Sequence, residues 1–159
     1  METHRNAQIA LGTVAFGLDY GISNPQGQVP PEHVQHILEC AAKEGIDTLD
    51  TAAAYGQSEA VLGALLAKQP SAFHVVSKLP PKTEGNDVGK AIEASLSKLG
   101  LNQAKAFLAH DMESFKDPQV REGLARAKDE GRIGQYGVSV YLQNFTRACE
   151  RISYKCTNI

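Results

Sequence analysis

The stretch Ile46-Asp47-Thr48-Leu49-Asp50-Thr51-Ala52-Ala53-Ala54-Tyr55-Gly56-Gln57-Ser58-Glu59-Ala60-Val61-Leu62-Gly63-Ala64-Leu65-Leu66 decides the fold. Its first five residues are a strand-length run ending on a carboxylate. A small-residue loop follows, and Ser58 stands as the N-cap of a helix with Val61, Leu62, Leu65 and Leu66 inward. A short strand leading through a loop into a helix of about three turns is half of a βαβ crossover. The unit recurs on both sides. Upstream, Pro30-Pro31-Glu32 opens a helix with Val34, Ile37, Leu38, Ala41 and Ala42 on one face, closed by Gly45, and Ile9–Thr13 forms an earlier strand. Downstream, Phe73–Lys78, Lys105–His110 and Ile133–Val140 have strand length. Asn86 or Asp87 starts a helix through Val88, Ile92, Leu96 and Leu99, stopped by Gly100. Asp117-Pro118 is an N-cap followed by the first helical residue, leading through Val120, Leu124 and Ala127 to Gly131. Leu142, Phe145, Cys149 and Ile152 mark a last helix, and Cys156–Ile159 the start of a sixth strand.

Strict alternation of strand and helix with short loops predicts a parallel sheet with helices packed against it. The strand ends Asp50, Lys78, His110 and Ser139 follow one another at intervals of 28, 32 and 29 residues, so one βα unit of about thirty residues is repeated. A complete (β/α)8 barrel usually needs about 250 residues, and this chain has 159. The expected fold is therefore α/β of the (β/α)8 TIM-barrel type, incomplete, with five βα units and the start of a sixth in one domain over residues 1–159. A sheet left open in this way predicts unpaired edges and uncovered inward side chains such as Val75, Leu108 and Val138, and with them self-association.

Composition narrows the function. The 42% hydrophobic and 21% charged residues fit a folded core, and sixteen basic against eighteen acidic residues give a formal charge of −2, with no basic field for nucleic acid. No apolar run is long enough to span a bilayer, and the start METHRNAQ lacks a signal-peptide pattern, which predicts a soluble cytoplasmic protein without membrane partners. Cys40, Cys149 and Cys156 have no CxxC spacing and read as buried thiols, neither disulfide framework nor zinc site. His33 and His36 lie three apart on a helix with no third ligand at metal spacing and read as a solvated face.

In a parallel sheet all carboxyl ends share one edge, where α/β folds place their sites. Asp50, Lys78, His110 and Ser139 each sit where an apolar run gives way to a loop, and so converge on that edge, with Tyr55 five residues beyond Asp50. A tyrosine alone is a weak acid near neutrality. An ammonium beside it favours the phenolate, and a carboxylate holds the ammonium charged, so Asp50, Tyr55 and Lys78 can form a tuned general acid. His110 can donate a hydrogen bond to the same substrate oxygen. Each residue alone has an ordinary structural reading: Asp50 a turn residue, Lys78 a rim charge, Tyr55 a packed ring, His110 a core histidine.

Leu11-Gly12-Thr13, Asp50-Thr51-Ala52, Tyr55-Gly56, Ser58-Glu59, Ser77-Lys78-Leu79, Leu99-Gly100-Leu101, His110-Asp111 and Gly137-Val138-Ser139 stand in the order and spacing of the aldo-keto reductase family, which the whole chain resembles. The resemblance implies a (β/α)8 barrel reducing aldehydes or ketones with hydride from NADPH. It implies Tyr55 as proton donor, Lys78 and Asp50 as its tuners and His110 as carbonyl orienter. Gly12, Thr13, Asp50 and Ser139 would lie at the nicotinamide, with Ser139 holding its carboxamide. Ser139-Val140 stands where many members have Ser-Asn, and no Gly-rich phosphate loop of Rossmann or Walker type is present. The alternatives are a Schiff-base aldolase through Lys78, against which the Asp50 partner argues, and a catalytically silent binding or regulatory half-barrel. Tyr20 reads equally as a substrate-pocket wall or as cover for the barrel mouth.

Overall fold

A computed structural model describes residues 9–21, 24–68 and 73–140. Five strands, β1 (Ala10–Gly12), β2 (Thr48–Asp50), β3 (His74–Lys78), β4 (Ala104–Ala109) and β5 (Ile133–Val138), pair in sequence order, every pair parallel. Between them run α1 (Pro31–Lys43), α2 (Ser58–Leu66), α3 (Val88–Leu99), α4 (Met112–Lys116) and α5 (Pro118–Asp129). The register sets Gly12 beside Asp50, Asp50 beside Val76, Lys78 beside Leu108 and Ala109 beside Val138.

The period-2 alternation of the strands sends Leu49, Val75 and Phe107 to the helices. Leu49 and Val75 pack with Val34, Leu38 and Ala41 of α1 and Leu62 and Leu66 of α2. Phe107 and Ile133 pack with Val88, Ile92 and Leu96 of α3 and Val120, Leu124 and Ala127 of α5, and Leu101 touches both clusters. Helices α1, α3 and α5 thus each bury one stripe at helical spacing, and α2 buries Leu62 and Leu66 one turn apart. Val75 is therefore not an inward residue but a helix-facing one, and Val138 shares the row of buried Ala109. Leu108, level with Lys78, lies half-buried on the other face.

Helix ends account for the boundaries. Gly45, at φ 78°, closes α1 while the amides of Gly45 and Ile46 donate to the carbonyls of Ala42 and Ala41. This Schellman-type closure uses the Ile46 amide, so β2 begins at Thr48 rather than Ile46. Gly100 ends α3 in the left-handed region at φ 64°. Asp117 caps α5, accepting from the Gln119 amide at 2.9 Å. Ser58 does not cap α2; it is the first helical residue, its hydroxyl buried and used elsewhere. The turn of helix α4 has no apolar stripe in sequence, and its signal is Asp111, whose carboxylate accepts from the Ser114 amide at 2.8 Å.

Cys40 is exposed rather than buried, off the Val34–Leu38–Ala41 stripe, with its Sγ 3.7 Å from His36 Nε2. His33 and His36 are exposed as well. The helix from Leu142 to Ile152, the strand from Cys156 to Ile159, and Cys149 and Cys156 lie outside the described residues. Among the described residues no helix is long and apolar enough to cross a membrane.

Candidate active site

Parallel pairing brings Gly12, Asp50, Lys78, His110 and Ser139 to one edge, because each is the last residue of its strand or the next one along. Thr13 follows β1 directly. Its amide and its hydroxyl both donate to the Asp50 carbonyl, each at 3.0 Å, which locks the ends of β1 and β2 together.

Lys78 is the best-held side chain of the edge. It is 5% exposed. Its ammonium donates to Asp50 Oδ1 at 2.7 Å and to the Thr51 carbonyl at 2.8 Å. The same nitrogen lies over the Tyr55 ring, 5.0 Å from its centroid. A buried ammonium needs partners, and a carboxylate, a carbonyl and an aromatic face together supply them.

Tyr55 is presented by the loop between β2 and α2, where the amides of Tyr55 and Ser58 donate to the carbonyls of Ala52 and Tyr55. The loop from β1 lies on it backbone to backbone. A Cβ on Gly17 would run into the Tyr55 carbonyl and the Ser58 amide, so only glycine allows this approach. His110 follows β4, half-buried, with Nδ1 buried and without a partner among the described residues. The Ser139 amide donates to the Ala109 carbonyl at 2.9 Å, fixing the backbone from which its hydroxyl projects. Tyr20 is 59% exposed on the β1–α1 loop.

Beneath the edge lies a buried polar layer that the sequence reading did not assign. Ser58 Oγ stands 2.9 Å from both the carbonyl and the hydroxyl of Thr13 and 3.1 Å from Thr51 Oγ1. Ser77 Oγ donates to Glu59 Oε1 at 2.8 Å, and both residues are buried. The available signal was a Ser-Glu pair in a helix first turn opposite two threonines and a serine at strand ends. The opposite edge of the sheet carries its own polar group: the Thr48 hydroxyl, with positive charge from Lys105 and His74, holds exposed Asp47 below the usual carboxylate range.

The aldo/keto reductase family model matches residues 8–153. The chain belongs to the aldo-keto reductase family. An aldo-keto reductase of Mycobacterium sp. (strain KMS) is 32% identical over 142 residues, covering 81% of this chain and 50% of that protein. The crystal structure of PA4992 from Pseudomonas aeruginosa, described as an aldo-keto reductase, superposes with a TM-score of 0.76 at 32% identity, over 91% of this chain and 60% of that one. The aldo-keto reductase of Klebsiella pneumoniae, solved in complex with NADPH, shares the fold at a TM-score of 0.72 and 23% identity, over 92% of this chain and 50% of that one. The chain thus spans about half the length of the curated relative, and its five-stranded parallel sheet is an incomplete TIM-type barrel.

Proposed function

We propose that this aldo-keto reductase chain, a single domain, carries the proton-donating half of an NADPH-dependent reduction of small aldehydes or ketones to alcohols. The observation that carries the reading is Lys78, whose ammonium is fixed by Asp50 at 2.7 Å while lying 5.0 Å over the Tyr55 ring.

In this reading Tyr55 gives its hydroxyl proton to the carbonyl oxygen as that oxygen gains charge, and the phenolate left behind is stabilised by the Lys78 ammonium. Asp50 and the Thr51 carbonyl keep that ammonium in place. His110 orients the carbonyl from Nε2. Buried Nδ1 has no partner among the described residues, which favours the tautomer that leaves only a lone pair there. Solvent returns the proton to Tyr55 after the alcohol leaves.

The residues present fit the nicotinamide end of the cofactor. Gly12 is exposed at the rim, and open space stands where its Cβ would be, so a flat ring meets no side chain there. Asp50 lies beside it in register, and Ser139 would offer its hydroxyl to the carboxamide. Thr13 contributes through Asp50, since its own hydroxyl is engaged. Bound NADPH would supply the hydride that the carbonyl carbon receives.

The aldolase alternative needs a neutral Lys78 amine, which the carboxylate and carbonyl partners both oppose. Borohydride trapping on a carbonyl substrate separates the two, as reduction without a covalent lysine adduct supports the reductase. Fluorescence titration with NADPH addresses the silent-module alternative, which predicts no binding even in an assembled form.

A further inference from the structure

Glu59 is a carboxyl group buried to 1% exposure in the first turn of α2, four residues after Tyr55. Its Oε1 accepts from Ser77 Oγ at 2.8 Å, and its Oε2 has no partner among the described residues. Burying a carboxyl group against one neutral donor is unfavourable, and an apolar side chain of similar size would fill the same space at lower cost. Packing therefore does not explain the residue, whereas its attachments do. Ser77 immediately precedes Lys78 on β3, and Glu59 immediately follows Ser58, which is tied to Thr13 and Thr51. The Ser77–Glu59 bond thus joins the segment carrying Tyr55 to the strand end carrying Lys78, on the sheet face away from the site.

We propose that Glu59 is a positioning residue, whose grip on Ser77 sets the placement of the Lys78 ammonium over the Tyr55 ring. The inference rests on the reading of Tyr55 and Lys78 given above. A hydrogen bond of this kind acts through distance, so an uncharged acceptor of the same shape does the same work, and loss of either partner has the same effect.

The test is magic-angle-spinning nuclear magnetic resonance, which reads associated protein as well as monomer, on the full chain with 13C-labelled lysine. A Lys78 side chain over an aromatic ring has ε-proton resonances moved upfield of those of exposed lysines, and Lys78→Met identifies them by their loss. In Ser77→Ala and in Glu59→Ala these resonances return toward the exposed-lysine position. Glu59→Gln keeps them where they are, and the double variant Ser77→Ala/Glu59→Ala goes no further than either single one. Where turnover is measured, Ser77→Ala lowers kcat roughly 10-fold while KM moves by less than about 2-fold. If Glu59→Ala loses its dispersed spectrum, Ser77→Ala, which removes one oxygen atom, decides alone. Unmoved resonances in Ser77→Ala and Glu59→Ala, or a Glu59→Gln chain that behaves like Glu59→Ala, overturn the inference and leave the Tyr55–Lys78 reading standing. Absence of any upfield lysine resonance in the unsubstituted chain overturns that reading as well.

Discussion

Lys78 is where the residue-scale chemistry concentrates, because one ammonium holds a carboxylate, a carbonyl and an aromatic face at once. Lys78→Met removes the charge and keeps much of the apolar stem. It should lower kcat about 100-fold, displace the pH–rate profile and leave NADPH affinity within about 2-fold. An unmoved profile on the same substrate contradicts the proposed role of the ammonium. Asp47 gives a separate pH prediction at the opposite edge. Its carboxyl is held low in the folded chain, first by the Thr48 hydroxyl and then by Lys105 and His74. Its contribution to stability is therefore present above the ordinary carboxylate value and is lost as pH falls through the lowered one. Thr48→Val should move the Asp47 titration, followed by carboxyl-carbon resonance, back up toward the ordinary value. Asp50, Lys78, His110 and Ser139 were legible in the sequence because each interrupts an apolar run at its carboxyl end. Ser58 and Glu59 were legible as a motif but not as buried groups, since a Ser-Glu pair opening a helix carries no mark that it faces inward. Only the packing of α2 against β3 shows both side chains buried. Cys40 misled for a similar reason, because a small apolar residue beside a stripe carries no mark of which side of it faces solvent.

Among the elements, the helices were the most legible, since a stripe at helical period, a Pro near the start and a Gly at the end each have a separate physical cause. The first five strands were legible in order but not in extent: the Ile46 amide closes α1, and pairing between β4 and β5 starts at Ala104. The inward or outward sense of Val75 was misread because a run of buried strand residues has no polar alternation to fix its phase. The loop from β1 provides the element-scale prediction. Gly17 meets the Tyr55 loop with no room for a Cβ, so Gly17→Ala must displace one loop or the other. The expected result is a loss of about 1–3 kcal/mol in stability with a fall in turnover larger than that of a substitution on exposed α1 positions. A Gly17→Ala chain with unchanged melting and unchanged kcat would contradict the backbone contact described here.

Over the described residues the molecule is a sheet with helices on one face, and there β1 and β5 each have a single strand neighbour. On the face away from the helices, Val76 and Leu108 are only half-buried, and unpaired edges together with apolar side chains of this kind favour association. The 159-residue chain should therefore self-associate in light scattering at micromolar concentration. A clean monomer would contradict this view of the open sheet.

The central claim is that Tyr55 gives the proton in a nicotinamide-dependent carbonyl reduction, and it is tested most directly by NADPH consumption at saturating aldehyde. The parent chain and Tyr55→Phe are compared in the same active assembly. General acid catalysis contributes about 10²–10⁴-fold, so Tyr55→Phe should lose at least about 100-fold in kcat with NADPH binding unchanged. A Tyr55→Phe chain that keeps more than about a tenth of the parent turnover would remove Tyr55 from the mechanism.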